Sequence, residues 1–151
     1  MELINSDLRI SGYASLFGQP DLSGDVVQRG AFAASLLGLS GHLPMLFGHE
    51  TAEPIGVWDR IFEDAAGLFV SGRLMGGNAR ADRIIRLVRE GAVSGLSIGY
   101  RAKRSSRLGA GRSLTELDLW EVSVVAFPML RTARITQIDN PDLTSTKRKI
   151  A

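Results

Sequence analysis

The run from Leu114 to Phe127, "LTELDLWEVSVVAF", is long, β-branched and aromatic, and Pro128 closes it. Such a composition suits a pleated surface, and a proline that cannot donate to a strand ladder ends it. The period of two sends Leu117, Leu119, Glu121, Ser123 and Val125 to one face and Asp118, Trp120, Val122 and Val124 to the other. A strand of this length commits the chain to a sheet.

The rest of the sequence supplies partners for it. "LRISGYASLF" alternates apolar with small or polar positions and reads as a half-buried strand; "GQPDLSGD", Gly18 to Asp25, is a turn. "VVQRGAFAASLLGLSG" reads as a short strand leading into a helix near Ala31 that stops around Gly38 or Gly41. "LPMLFGHE" is an apolar strand, and "PIGVWDRIFED" and "GLFVSGRLM" form a hairpin across Asp64 to Gly67. In "NARADRIIRLVREGAV" the period changes to helical, with Ala81, Ile84, Ile85 and Val88 on one stripe, Asn78 as N-cap and Gly91 as terminator. "SGLSIGYRAK" returns to strand. The pattern predicts five to seven short strands with two inserted helices, a mainly β fold arranged as a small, mainly antiparallel barrel or sandwich. Residues 1–135 are expected to form one domain and residues 136–151 a flexible polar C-terminal tail, including Lys147, Arg148 and Lys149.

Composition narrows the chemistry. At 151 residues the chain can bury roughly 68–70 per cent of its unfolded surface without a staple. Cysteine is absent, which excludes disulfides, thiol catalysis and cysteine-held metals, and two histidines argue against a histidine-rich metal site. No cofactor is expected. "MELINSDLRI" has no signal-peptide core, and no window approaches the roughly 18 continuous apolar residues of a membrane span, so a soluble, intracellular protein is expected. Net charge is only +2, although Arg101, Lys103, Arg104, Arg107 and Arg112 gather in one Gly- and Ser-rich stretch. That stretch could meet nucleic acid, but it lacks interleaved aromatics and reads as a solvated loop.

Three residues could together carry acyl transfer, which needs a hydroxyl, a base and a group that orients the base. Ser97 stands between Gly95 and Gly99 in "GLSIGY". Either the glycines leave its hydroxyl open to an approaching substrate backbone, or they serve a bulge or close strand crossing while the serine bonds a carbonyl. His49 follows "PMLFG" at a strand end, where a side chain can project into a cleft or be merely structural; His42, in "SGHLP", reads as solvated. Glu121, mid-strand, would be costly to bury as an unpaired anion, so it faces solvent, pairs with an arginine or meets a histidine cation. Asp118, on the opposite face, is the reserve acid. Asp21 and Asp25 read as turn residues, although their segment could shape a groove.

Four blocks, "DLSGDVVQRGAF", "MLFGHETAEPIGVW", "VREGAVSGLSIGYRAK" and "LTELDLWEVSVVAFPM", resemble in sequence and order the prohead (capsid maturation) proteases of tailed bacteriophages, over roughly Ile10 to Arg134. That family resembles the herpesvirus assemblins, serine proteases built on a helix-decorated β-barrel. The resemblance implies Ser97 as nucleophile, His49 as base and Glu121 as third member, a place held in the herpesvirus enzymes by a second histidine. It also implies oxyanion donors in "PMLRT", where Pro128 has no N–H and Met129, Leu130 and Arg131 remain. A serine endopeptidase that cuts scaffold or the N-terminal delta segment of a major capsid protein inside an assembling prohead, in a bacterial cytoplasm, is the implied function. Cleavage of itself and self-association are further expectations. The alternatives are an inactive assembly protein of the same fold and a small β-rich nucleic-acid binder.

Overall fold

The computed structural model describes residues 7–39 and 43–139. In chain order its elements are β1 (Leu8–Leu16), β2 (Val26–Val27), α1 (Ala33–Leu37), β3 (Leu43–Phe47), β4 (Gly56–Glu63), β5 (Gly67–Leu74), α2 (Ala79–Arg89), β6 (Gly95–Leu108), β7 (Gly111–Val125) and β8 (Ile135–Asp139). The long strand anticipated from its composition is β7, and it organises the sheet. Strand β6 pairs antiparallel along its length, from Gly95–Val125 to Leu108–Gly111. On the remaining edge β2 pairs parallel at Val26–Ser113, and β3 pairs parallel from Met45–Val122 to Phe47–Val124.

Beyond β3 the order continues β4, β5, β1, β8 through antiparallel pairs. The β4–β5 hairpin turns at Asp64, whose Oδ1 accepts from the N–H groups of Ala66 and Gly67. Helix α2 starts where expected, with Asn78 Oδ1 accepting from Ala81 N–H at 2.8 Å. It buries Ala81, Ile84, Ile85 and Val88. The core assembles that stripe with Ile10, Met45, Trp58, Val70, Leu96 and Val122, among others.

Three expectations need correction. The sheet has eight strands and is not closed into a barrel: its ends approach at an isolated bridge between Gly95 and Arg134 rather than along a ladder. The basic stretch from Arg101 to Arg112 is not a solvated loop: it lies on β6 and the start of β7, which pair from Arg101–Asp118 to Arg107–Arg112, in a sheet that is mainly antiparallel with β2 and β3 running parallel to β7. The stretch after Arg134 begins with a strand, since β8 pairs with β1 from Arg9–Asp139 to Gly12–Ile135. Its polar residues are those of a half-exposed edge strand, which mimics a tail in composition. His42 and the cations at 147–149 lie outside the described residues, and none of the described helices is long and apolar enough to cross a membrane.

One buried polar contact ties the core to β7. Trp58 is 1% exposed, and its Nε1–H donates to the carbonyl of Val122 at 3.0 Å. Trp58→Phe removes the donor and replaces the indole with a smaller phenyl ring, so it should cost at least about 1–3 kcal/mol. The midpoint of urea unfolding followed by circular dichroism measures it.

Candidate active site

The register around β7 brings together residues from three strands. Ser97 on β6 lies directly opposite Ser123, and Gly99 opposite Glu121. On the other side of β7, β3 ends at Phe47, two residues before His49. A bulge makes this arrangement compatible with a core. Gly99 pairs with Glu121 but Tyr100 pairs with Leu119, so Trp120 is the extra residue. Leu117 and Leu119 join the core before the bulge, and Val122 and Val124 after it. The strict alternation read from sequence put Leu119 and Glu121 on one face; the bulge shifts the phase and releases Glu121 from the core.

Glu121 is 8% exposed, and both of its oxygens are partnered. Oε2 meets His49 Nδ1 at 2.5 Å, and Oε1 accepts from Ser123 Oγ–H at 2.7 Å. The open choice between solvent, arginine and histidine is therefore resolved in favour of histidine. Asp118 is not part of the cluster; it accepts from Trp120 Nε1–H and lies 4.0 Å from Arg101.

His49 sits in the left-handed region at φ 63°, the one non-glycine residue to do so among those described. Such a conformation costs about 1–3 kcal/mol and persists where its surroundings impose it. Here Gly48 N–H donates to Val124 O, Glu50 N–H to Phe47 O, and His49 N–H to Ser123 Oγ. The Arg80 guanidinium donates to Glu53 O and Glu50 Oε2, tethering the loop beyond. The imidazole thus reaches Glu121 through Nδ1, and Nε2 is left without a protein partner among the described residues.

Ser97 is 8% exposed, yet its hydroxyl makes no hydrogen bond among the described residues. Ser97 and His49 both line a cavity of about 350 Å³, together with Met129, Leu130, Tyr100 and Arg112. The flanking glycines do not hold space for a substrate. A Cβ on Gly99 would stand 2.7 Å from the Glu121 carboxyl carbon, and one on Gly95 2.7 Å from Pro128 Cδ. The neighbouring carboxylate and proline already occupy that room, and Ser97 is reached from the cavity instead.

Of the three expected oxyanion donors, Met129 and Leu130 line this cavity, while Arg131 lines an adjoining one. Their carbonyls accept from Leu22 N–H, Ala133 N–H and Arg134 Nε–H respectively, while their own N–H groups donate to no acceptor among the described residues. Among the described residues no group of three or more His, Asp or Glu is arranged to hold a metal ion.

Sequence reasoning missed the role of Ser123 and the pairing of Asp25 with Arg112. Ser123, fully buried, joins the Glu121 carboxylate to the His49 backbone, and its only sequence signal was its place two residues after Glu121. Asp25 and Arg112, 87 residues apart, form a 2.8 Å ion pair in the cavity wall. The guanidinium beside Asp25 holds its carboxyl below the usual carboxylate range, against the opposing effect of burial. In the same segment Asp21 Oδ1 accepts from Ser23 N–H, Ser23 Oγ–H and Asp25 N–H, the turn anticipated there.

With this geometry in place, the comparisons with known proteins decide the family. The model of the caudovirus prohead serine proteases matches residues 2–148. This chain belongs to that family. It is 34% identical over 143 residues to the prohead protease of Enterobacteria phage HK97, covering 92% of this chain and spanning 64% of the relative's length. Among solved structures, the protease of Kaposi's sarcoma-associated herpesvirus in complex with a hexapeptide phosphonate inhibitor superposes with TM-score 0.63 at 16% identity, over 94% of this chain and 69% of that one. A second structure of that protease gives 0.58 at 14% identity, over 94% and 65%. These likenesses establish that the fold is that of the herpesvirus proteases.

The crowding at Gly99 is directly testable. Gly99→Ala should displace the Glu121 carboxylate and abolish the strongly downfield His49 Hδ1 proton signal expected of a 2.5 Å contact. Proton NMR reads the signal, and an unchanged far-ultraviolet circular dichroism spectrum shows that the sheet is retained.

Proposed function

We propose that this prohead-protease family member is a serine endopeptidase, with Ser97 as nucleophile, His49 as general base and Glu121 as its orienting acid. The observation that carries the reading is the 2.5 Å contact between a conformationally strained His49 and a buried Glu121, beside a cavity into which an unpartnered serine hydroxyl opens. A carboxylate on Nδ1 fixes the proton there, so that Nε2 is the basic nitrogen presented to the cavity. Ser97 Oγ attacks the scissile carbonyl as Nε2 takes its proton, and Nε2 returns the proton to the departing amine. Glu121 stabilises the imidazolium formed between those steps, and Ser123 keeps the carboxylate from turning away. The free N–H groups of Met129, Leu130 and Arg131 are the candidates for the oxyanion, where loss of one donor typically costs about 10²–10³-fold.

The substrates that fit this assignment are scaffold protein or the N-terminal delta segment of a major capsid protein, with the chain itself as a further target. The work would be done inside an assembling prohead in the host cytoplasm. No cofactor takes part in the scheme.

Intact-mass measurement over time, with the capsid or scaffold protein encoded beside this chain, tests the assignment in solution and in co-expressed particles. Ser97→Ala should abolish fragments, a loss of about 10⁶-fold in the serine-protease template. Glu121→Gln should slow them by about 10⁴-fold. Fragments that persist with Ser97→Ala, or that are absent with the wild type even in assembling particles, would refute it.

A further inference from the structure

The cavity that Ser97 opens into continues past the nucleophile to a polar wall that the chemistry above does not use. Asp21, Ser23, Asp25, Tyr100 and Arg112 line it. Asp25 is committed, since Arg112 Nη2 lies 2.8 Å from its Oδ2 and Arg112 N–H donates to its Oδ1. Asp21 is committed through one oxygen only: Oδ1 takes all three donors of its turn, and Oδ2 has no partner among the described residues. Two carboxylates thus face one guanidinium, and the other cation at the cavity, His49 when protonated, is held by Glu121. One negative charge is left over at a wall with a free acceptor. Tyr100 responds to it: burial first, and then the charges of Asp21 and Asp25, hold its hydroxyl above the usual phenol range despite the opposing Arg112.

A second observation shows that the cavity is built to receive a ligand. Ser97 is more than nine-tenths buried, and its hydroxyl, without a protein partner among the described residues, stays open to a molecule entering the cavity. About 350 Å³ lies within the range of pockets that enclose a ligand and has room for a long side chain. We propose that Asp21 is a specificity-determining residue, and that the cavity takes a lysine or arginine side chain of the peptide substrate, its cationic end on Asp21 Oδ2. The proposal rests on the endopeptidase reading for the word substrate, but its physical content is a binding preference. Arg112, fixed on Asp25, is neutralised there and shapes the wall beside Asp21.

The test separates the two readings. The full chain carrying Ser97→Ala is titrated calorimetrically with acetylated hexapeptide amides in which lysine, norleucine or glutamate is moved through every position. At one position lysine should bind at least about tenfold more tightly than norleucine, as expected of a charge-assisted hydrogen bond, with glutamate weakest. Adding Asp21→Asn, which keeps the Oδ1 acceptor of the turn and removes the charge, should erase the lysine advantage and leave norleucine binding unchanged. Absence of a lysine-preferring position would overturn the proposal, as would an Asp21→Asn effect equal for all three residues. Incubating the same peptides with the chain whose Ser97 is intact reads cleavage separately, and its absence would count against the endopeptidase reading alone.

Discussion

A carboxylate buried in the middle of a strand must be compensated, and much of this molecule is arranged around compensating Glu121. Desolvating one such anion without partners would cost several kcal/mol, a large fraction of the stability of a domain this size. Its two oxygens are satisfied by groups from different places in the chain, the His49 ring at the end of β3 and the Ser123 hydroxyl two residues along β7. The parallel pairing of β3 with β7 is what delivers the first of these, because it ends β3 beside Val124 and turns the chain back over Glu121. Ser123 then serves twice, accepting from His49 N–H with the same oxygen whose proton goes to Glu121. One hydroxyl thus contributes both to holding the His49 conformation and to compensating Glu121.

The bulge at Trp120 belongs to the same arrangement. Without it, the odd-numbered residues of β7 would carry Leu119, Glu121 and Ser123 to a common face, and the carboxylate would enter the core. With it, Leu119 and Val122 both reach the core, and Trp120, 60% exposed, is the residue displaced outward. Gly99 completes the accommodation by leaving its Cβ position to the carboxylate. A strand interior ordinarily suffers from glycine, so Gly99 marks a place where a neighbouring side chain outweighs local propensity.

What could be read from the sequence follows from which signals are local. Helix α2 was legible because its cap, its apolar stripe and its terminator all lie within about four turns of chain, and the β4–β5 hairpin because Asp64 dictates its own turn. The identity of His49, Ser97 and Glu121 as candidates came from residue type and family resemblance, and their meeting point depended on register across three strands. Ser123 had only its place two residues after Glu121, and the Asp25–Arg112 pair and the bulge had no local signature, since they are defined by a partner far along the chain or by a one-residue slip. The closed barrel was overestimated because counting strands does not reveal whether the terminal ones form a ladder. Strand β8 was missed for a related reason: an edge strand with one partner and polar residues has the composition of a tail.

The polar wall and the loop at 128–132 are coupled by the backbone. Leu22 N–H, inside the Asp21–Asp25 turn, donates to Met129 O at 2.9 Å. A trans peptide places the carbonyl and the following N–H on opposite sides, so fixing Met129 C=O toward Leu22 turns the Leu130 N–H away from that turn. The turn is itself anchored to the β6–β7 hairpin, by Asp25 on Arg112 and by Gly111, which has no room for a Cβ against Gly24. The same short segment therefore lines the cavity and orients the Met129–Leu130 peptide, which lines it too. A side chain bound at the wall would press on the element that holds those donors. On the proposed assignment, recognition and oxyanion stabilisation would share this one support, a turn with no reacting group of its own.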